Sequence, residues 1–274
     1  MFGLLISAGV IEDYAYHRAL LDELPPPGLV LCADGGLRHL GALGRGGLAG
    51  ALMPDLILGD FDSADAALLE RYRSAGTPIE SHPADKDFTD TELAVERAAA
   101  VGCKTILVLG ALGARIDHTA ANLQLLYKYA MRGVRVALAD EYGCAAVHMN
   151  GTLRIERGRV LASLLGLLTA NPPAAYTKKP QADAREPLPN ANPLTDARAL
   201  ACTRERGKSA SPKISILPIG GPARGVYTSG LKYPIDGKTL DAWYTTGVSN
   251  ELTGDSAMIA VGDGALLVMA CADR

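Results

Sequence analysis

Residues 54 to 63 read PDLILGDFDS, an apolar run closed by a glycine and then by two aspartates that flank one phenylalanine. Asp55 to Gly59 has the length and composition of a strand buried on both faces. The acids beyond it stand where an open parallel sheet presents its ligand crevice, outside the carboxyl ends of the strands. Strict alternation along a strand would send Asp60 and Asp62 to opposite faces. Gly59 frees the backbone to leave strand geometry, so both side chains are expected to turn toward one metal ion.

The same pattern recurs on either side. Leu4 to Ala8, Leu29 to Ala33, Pro78 to His82, Thr105 to Leu109 and Val134 to Ala139 are further short apolar runs, separated by longer stretches of helical character. That alternation predicts a doubly wound, Rossmann-like parallel sheet over residues 1–141. Ser63 is expected to cap a helix over Ala64 to Ala75, and Thr89 with Glu92 forms a Thr-x-x-Glu capping box ahead of LAVERAAA. From about Gly143 the rhythm changes to short strands of alternating polarity, which predicts an all-β, sandwich-type domain over 142–274. Asn150-Gly151 is expected to be a tight turn, as is Gly262-Asp263-Gly264 between strands at Ala257 to Val261 and Ala265 to Met269.

The β domain is interrupted at about 166–212. Seven of the sixteen prolines fall within residues 171–212, a density that blocks both helix and ladder and predicts a flexible, passive loop. Gly207-Lys208-Ser209 inside it mimics the end of a phosphate-binding loop, but Cys202 stands where the motif needs glycine. Gly44-x-Gly46-x-x-Ala49 fails as a dinucleotide fingerprint because it follows a helix instead of opening one.

Composition narrows the function classes. The 274 residues carry 27 Lys+Arg against 30 Asp+Glu, so the surplus of positive charge that a polyanion binder needs is missing and nucleic acid is a poor partner. Five scattered cysteines without a Cys-x-x-Cys pair read as reduced thiols. MFGLLISAGV has no basic leader and reads as a core strand, and no apolar run has the length of a membrane helix, so a cytoplasmic location is expected.

The chemistry collects at strand ends. Asp34 follows the second strand, Asp60 and Asp62 the third, Asp85, Lys86, Asp87, Thr89 and Asp90 the fourth, and Arg115, Asp117 and His118 the fifth. Any one of these acids could be a helix cap. Several carboxylates in one crevice repel each other unless a cation lies between them, and an all-oxygen set suits Mg²⁺ held jointly with a phosphate ester. Arg115, in a glycine-flanked loop by the same crevice, has the planar cation that neutralises phosphate oxygens. His118 and Asn122, four apart, share one helix face, with Leu123 and Leu126 expected toward the core.

In this order, ADGG at 33–36, PDLILGDFDS at 54–63, DKDFTDTELA at 85–94, LGALGARIDHTAANLQLL at 109–126, SGLKYPI at 229–235, GVSNE at 247–251 and GALLVMA at 264–270 closely resemble the thiamine pyrophosphokinase family. The resemblance implies transfer of a pyrophosphoryl group from ATP to the hydroxyl of thiamine, giving thiamine diphosphate and AMP with Mg²⁺ required. It implies metal ligation by Asp60, Asp62 and Asp90, and catalysis by these together with Arg115 and Asp117. Asp34, Lys86, Asp87, Thr89, Arg115 and Asn122 would line the ATP path, and Tyr233, Ser249 and Asn250 would meet thiamine. It further implies a homodimer with its active site at the subunit interface, residues 1–141 serving ATP and 142–274 thiamine. Trp243, the single tryptophan, rivals Tyr233 as the residue that stacks on thiamine, and an aspartate of the cluster is the expected general base.

Two other readings compete. Asp60-Phe-Asp62 after an apolar strand also resembles the nucleophile strand of Mg-dependent haloacid-dehalogenase-type phosphatases, with Asp60 attacking phosphorus, but Ala64 stands where Thr or Val is expected. A nucleotide- or thiamine-sensing module that has lost turnover is the non-enzymatic alternative.

Overall fold

The computed structural model describes residues 1–44, 52–62, 64–113, 115–167 and 212–272, which form two compact units, Met1–Ala146 and Val147–Arg274. The expected insert, its Gly207-Lys208-Ser209 and most of the Gly44 to Ala49 stretch lie outside the described residues.

In the first unit, strands β1 (Phe2–Ile6), β2 (Leu29–Ala33), β3 (Leu56–Gly59), β4 (Ile79–Ser81), β5 (Thr105–Leu109) and β6 (Arg135–Ala139) pair in parallel in the order β4-β3-β2-β1-β5-β6. Helices α1 (Tyr14–Glu23), α2 (Leu37–Leu43), α3 (Ala66–Ser74), α4 (Asp90–Ala100) and α5 (Ile116–Ala130) connect them. The whole of β1 is buried, and so are the last four residues of β2, β5 and β6, as strands covered on both faces must be. The strand order reverses between β1 and β5, and there the connections leave in opposite directions and open a crevice.

Local capping departs from the sequence in two places. Asp65 caps α3 by accepting hydrogen bonds from the Ala67 and Leu68 amides, in place of the expected Ser63, which lies outside the described residues. Thr89 caps α4 as expected, its Oγ1 accepting from the Glu92 amide, but the reciprocal half of the box is absent because the Glu92 carboxylate reaches Lys128 at 2.6 Å. On α5 the buried stripe is Asn122, Leu125, Leu126 and Tyr129, so Asn122 faces inward and Leu123 is only half-buried.

A polar clasp joins α4 to α5. Glu96 accepts two hydrogen bonds from Arg132, at 2.5 and 2.8 Å, and one from the Tyr129 hydroxyl at 2.7 Å. Arg132 first and Tyr129 second hold the Glu96 carboxyl at about 2, well below its ordinary 4.5. A depressed carboxyl stabilises the fold above its unfolded value, and that contribution is lost as pH falls through the folded one. In urea unfolding, the stability gap between the wild type and Glu96→Gln is therefore expected to be full above pH 4.5 and to close toward pH 2. A gap independent of pH would contradict the clasp.

The boundary between the units falls within β7 (Gly143–Glu156), whose first residues run antiparallel to β6. Asn150 and Gly151 take the left-handed backbone expected of the pair, with φ of 39° and 101°, yet both stay within the strand. The second unit continues with helix α6 (Val160–Leu165) and strands β8 (Lys213–Pro218), β9 (Ala223–Ser229), β10 (Lys238–Leu240), β11 (Asn250–Glu251) and β12 (Ser256–Cys271). Its described ladders are antiparallel.

Two sequence expectations change in this unit. Gly262-Asp263-Gly264 does not end a strand; it lies inside β12, which pairs with β9 through Met258 to Asp263 and with β8 through Leu266 to Cys271. Gly264, at φ 103°, makes that change of partner possible, since a Cβ there would sit 2.6 Å from the Pro222 carbonyl oxygen. The unit is also not purely β, because α6 buries all six of its residues and ends on Gly166 at φ 66°. A six-residue apolar run does not distinguish strand from helix by periodicity. Among the described residues, no helix is long and apolar enough to cross a membrane.

Candidate active site

The crevice at the switch point is a cleft of about 320 Å³ whose floor is Ser7 to Val10 after β1 and Gly110 to Leu112 after β5. The Gly9 amide donates to the Gly110 carbonyl at 2.6 Å. The Gly9 carbonyl accepts from Arg38 at 3.2 Å and from His39 Nε2 at 2.8 Å. Burial pulls the His39 pKa down, and its Nδ1 lies 2.8 Å from the Tyr14 hydroxyl. Ser7 and Thr91 share a 2.6 Å hydroxyl–hydroxyl bond that ties the end of β1 to the first turn of α4, beside Asp90.

Asp34, Asp60 and Asp90 converge at one side of this cleft. One carboxylate oxygen from each lies within 4.8 Å of the other two, and all three side chains are half-buried. The backbone is bent to achieve this. Asp34 takes φ 42° in a 3₁₀ turn at the end of β2, and a Cβ on Gly59 would lie 2.9 Å from the Asp34 Cα, so only glycine lets β3 end against that turn. Phe61 is left-handed at φ 62°, a conformation that costs on the order of 1–3 kcal/mol for a bulky residue. It turns the Asp62 amide back onto Asp60 Oδ1 at 3.2 Å. The left-handed residue after β3 is thus Phe61, and Gly59 serves close approach. Asp62 brings its backbone N–H to the cluster while its side chain is exposed, and Asp34 supplies the third carboxylate.

Lys86 Nζ lies 3.2 Å from Asp60 Oδ2 and 3.0 Å from Asp90 Oδ1, with 13% of its side chain exposed. The Asp62 amide first, and Lys86 next, pull the Asp60 pKa down. Burial opposes the charge on Lys86, but Asp90 and Asp60 outweigh it and raise its pKa. Asp34 Oδ1 is buried without a hydrogen-bond partner. Three converging carboxylates, two of which keep an oxygen without a hydrogen-bond partner, are a donor set that fits a hard divalent cation.

The remaining expected residues separate into two groups. Thr89, Arg115 and Asn122 line the cleft together with Asp34 and Asp90. Asn122 is buried, and its Nδ2 donates to the Ala111 carbonyl at 2.8 Å, so it shapes the floor. Arg115 and Asp117 are exposed and paired at 2.6 Å; Arg115 and then the His118 amide hold the Asp117 carboxyl at about 2. Asp87 is exposed in the loop before α4. In the second unit, Tyr233 is 59% exposed, with Lys232 Nζ 5.5 Å from its ring centre. Asn250 is buried and committed to backbone. Its Oδ1 accepts from the Tyr233 amide at 3.0 Å, and its Nδ2 donates to the Tyr233 carbonyl at 2.7 Å. It therefore positions Tyr233. Ser249 is exposed at φ 57°, and its amide donates to the Ser215 hydroxyl.

Ser7, Gly9, Arg38 and Thr91 shape the cleft without having been singled out in the sequence. β1 ends at Ile6, two residues before the expected Ala8, which places Ser7-Ala8-Gly9 at a strand end. The strand-end rule applied to β1 finds them; a search for acids does not.

Two family models match the chain: "Thiamin pyrophosphokinase, catalytic domain" over residues 26–138, and "Thiamin pyrophosphokinase, vitamin B1 binding domain" over residues 201–266. Between them they span more than half of the sequence, in the order of the two units. The chain belongs to the thiamine pyrophosphokinase family. Thiamine pyrophosphokinase of Bacillus subtilis (strain 168) is 31% identical over 110 residues, 40% of this chain and 51% of the relative. Thiamine pyrophosphokinase 1 of Arabidopsis thaliana is 35% identical over 118 residues, 37% of this chain and 43% of the relative. The chain thus spans about half the length of the relatives it matches. The crystal structure of the Bacillus subtilis thiamine pyrophosphokinase superposes with a TM-score of 0.70 at 20% identity and full coverage of both chains. That of Candida albicans thiamin pyrophosphokinase gives 0.66 at 17% identity, covering 98% of this chain and 90% of the other. At such identities these superpositions establish the fold.

Proposed function

We propose that this protein transfers the pyrophosphoryl group of ATP to the hydroxyl of thiamine, yielding thiamine diphosphate and AMP, as a cytoplasmic homodimer. The observation that carries the reading is the convergence of Asp34, Asp60 and Asp90 beside a cleft at the switch point of the sheet, in a chain of this family. Asp60 and Asp90, faced by Asp34 and with Asp62 at the rim, would hold Mg²⁺, which would neutralise charge developing on the transferred phosphoryl oxygens. Arg115, Lys86 and Thr89 would orient the triphosphate, and the Ser7 to Val10 floor would hold the nucleotide against β1 and β5. Asp117 would keep Arg115 extended toward the phosphates. An aspartate of the cluster would take the proton of the thiamine hydroxyl as it attacks the β-phosphorus in line.

Thiamine is a cation with two aromatic rings, and an exposed tyrosine whose backbone is clamped by Asn250 is a suitable stacking platform. Tyr233→Ala is expected to raise the dissociation constant for thiamine about tenfold in calorimetric titration and to leave that for ATP within twofold. Equal losses for both ligands would remove the stacking role. Lys232, already over the same ring, would have to yield one face.

The phosphatase alternative draws less support, because it leaves the match of residues 201–266 to a vitamin B1 binding domain unexplained and Ala64 stands where it expects Thr or Val. Incubation with ATP, Mg²⁺ and thiamine followed by nucleotide separation tests the proposal. AMP with thiamine diphosphate is the expected product pair, free phosphate would indicate the phosphatase, and absence of turnover with intact thiamine binding would indicate the sensor.

A further inference from the structure

Three carboxylates within 4.8 Å of one another carry three negative charges into a half-buried pocket, and Lys86 is the cation the fold places among them. It comes from the loop that enters α4, four residues ahead of Asp90, so its ammonium spans Asp90 on its own segment and Asp60 on the end of β3. Both Asp60 oxygens are engaged, Oδ1 by the Asp62 amide and Oδ2 by Lys86. Asp90 Oδ1 faces the same ammonium at 3.0 Å. A divalent ion bound by these oxygens would lie close to the Lys86 ammonium, and two cations at that separation repel strongly. With Lys86 in place the four groups carry −2; with the ammonium gone, a divalent ion takes the three carboxylates from −3 to −1, further toward neutrality than the ammonium takes them.

We propose that Lys86 is a placeholder cation. It holds Asp60 and Asp90 together until a divalent ion arrives, and then exchanges out of the cluster, leaving its ammonium available to a phosphate oxygen. This rests on the metal-site reading above and adds to it a competition built into the chain. Lys86 holds the carboxylates in a ligating arrangement, and at the same time it weakens binding of the ion alone, so that the ion binds best together with a polyphosphate that gives the displaced ammonium a new partner.

The test is Mn²⁺ binding to the full-length protein without nucleotide, followed by electron paramagnetic resonance of the free ion, for the wild type, Lys86→Gln and Lys86→Arg. Lys86→Gln is expected to bind Mn²⁺ about tenfold more tightly than the wild type, because one opposing charge has gone. Lys86→Arg, which keeps the charge, is expected to stay within about twofold of the wild type. In EDTA, Lys86→Gln is expected to melt at a lower temperature than the wild type, with the deficit removed by Mn²⁺. Equal or weaker Mn²⁺ binding by Lys86→Gln would overturn the placeholder role while leaving the metal site standing, as would equal tightening by both variants. Absence of Mn²⁺ binding by all three at millimolar concentrations would remove the metal site itself, and the placeholder with it.

Discussion

Asp90→Asn is expected to lower turnover of ATP and thiamine about a thousandfold, with little change in the unfolding midpoint. Asp90 is the residue on which three features of the site depend. It opens α4, where Thr89 caps the helix and the Ser7–Thr91 bond fixes its first turn against β1. It contributes one of the three converging carboxylates, and it is one of the two partners of Lys86. An amide keeps the shape and removes the charge. A divalent cation held by fewer anionic oxygens binds more weakly and neutralises phosphoryl charge less well, and roughly 4 kcal/mol of lost transition-state stabilisation corresponds to a thousandfold in rate. The fold should tolerate the change because removing one of three mutually repelling charges relieves the cluster. Asp60→Asn should behave alike, and its backbone anchor from the Asp62 amide should survive on the amide oxygen. The check is steady-state AMP formation alongside thermal unfolding; a folded Asp90→Asn protein retaining a tenth of wild-type turnover would overturn the assignment.

Gly9→Ala is expected to destabilise the first unit by about 3 kcal/mol and to abolish nucleotide binding. A Cβ on Gly9 would be driven into the Gly110 carbonyl, a backbone group that cannot swing aside as a side chain can. Gly9 is held from both ends, by its amide on Gly110 and by His39 and Arg38 on its carbonyl. The strain would therefore be relieved only by parting the connections that leave β1 and β5, the two strands between which the crevice opens. Urea unfolding and calorimetric titration with ATP measure the two effects separately. Wild-type stability together with wild-type affinity would show that the floor of the cleft is not where the structure places it.

Much of this architecture is legible in the sequence. The β2 and β5 ranges read from apolar runs coincide with those observed, because strands buried on both faces leave unbroken hydrophobic stretches. Thr89 announced the start of α4 through its own side-chain chemistry. The second unit was less legible. Gly264 reads as a turn in sequence and serves as a bend in a sixteen-residue strand, since a glycine at positive φ marks a change of direction without saying whether pairing continues beyond it.

From its sequence alone, this chain is determined to be a parallel α/β unit followed by a strand-rich one, with acids at the ends of successive strands and motifs in the order of one enzyme family. Those properties follow from hydrophobic periodicity and residue order, which are local. Only the tertiary structure decided that Asp34 joins Asp60 and Asp90 while Asp62 is exposed, that Lys86 pairs with two of them, and that Ser7 and Gly9 floor the cleft. The physical reason is that these contacts link segments brought together by strand order and by single left-handed residues such as Phe61, and neither leaves a periodic trace in the chain.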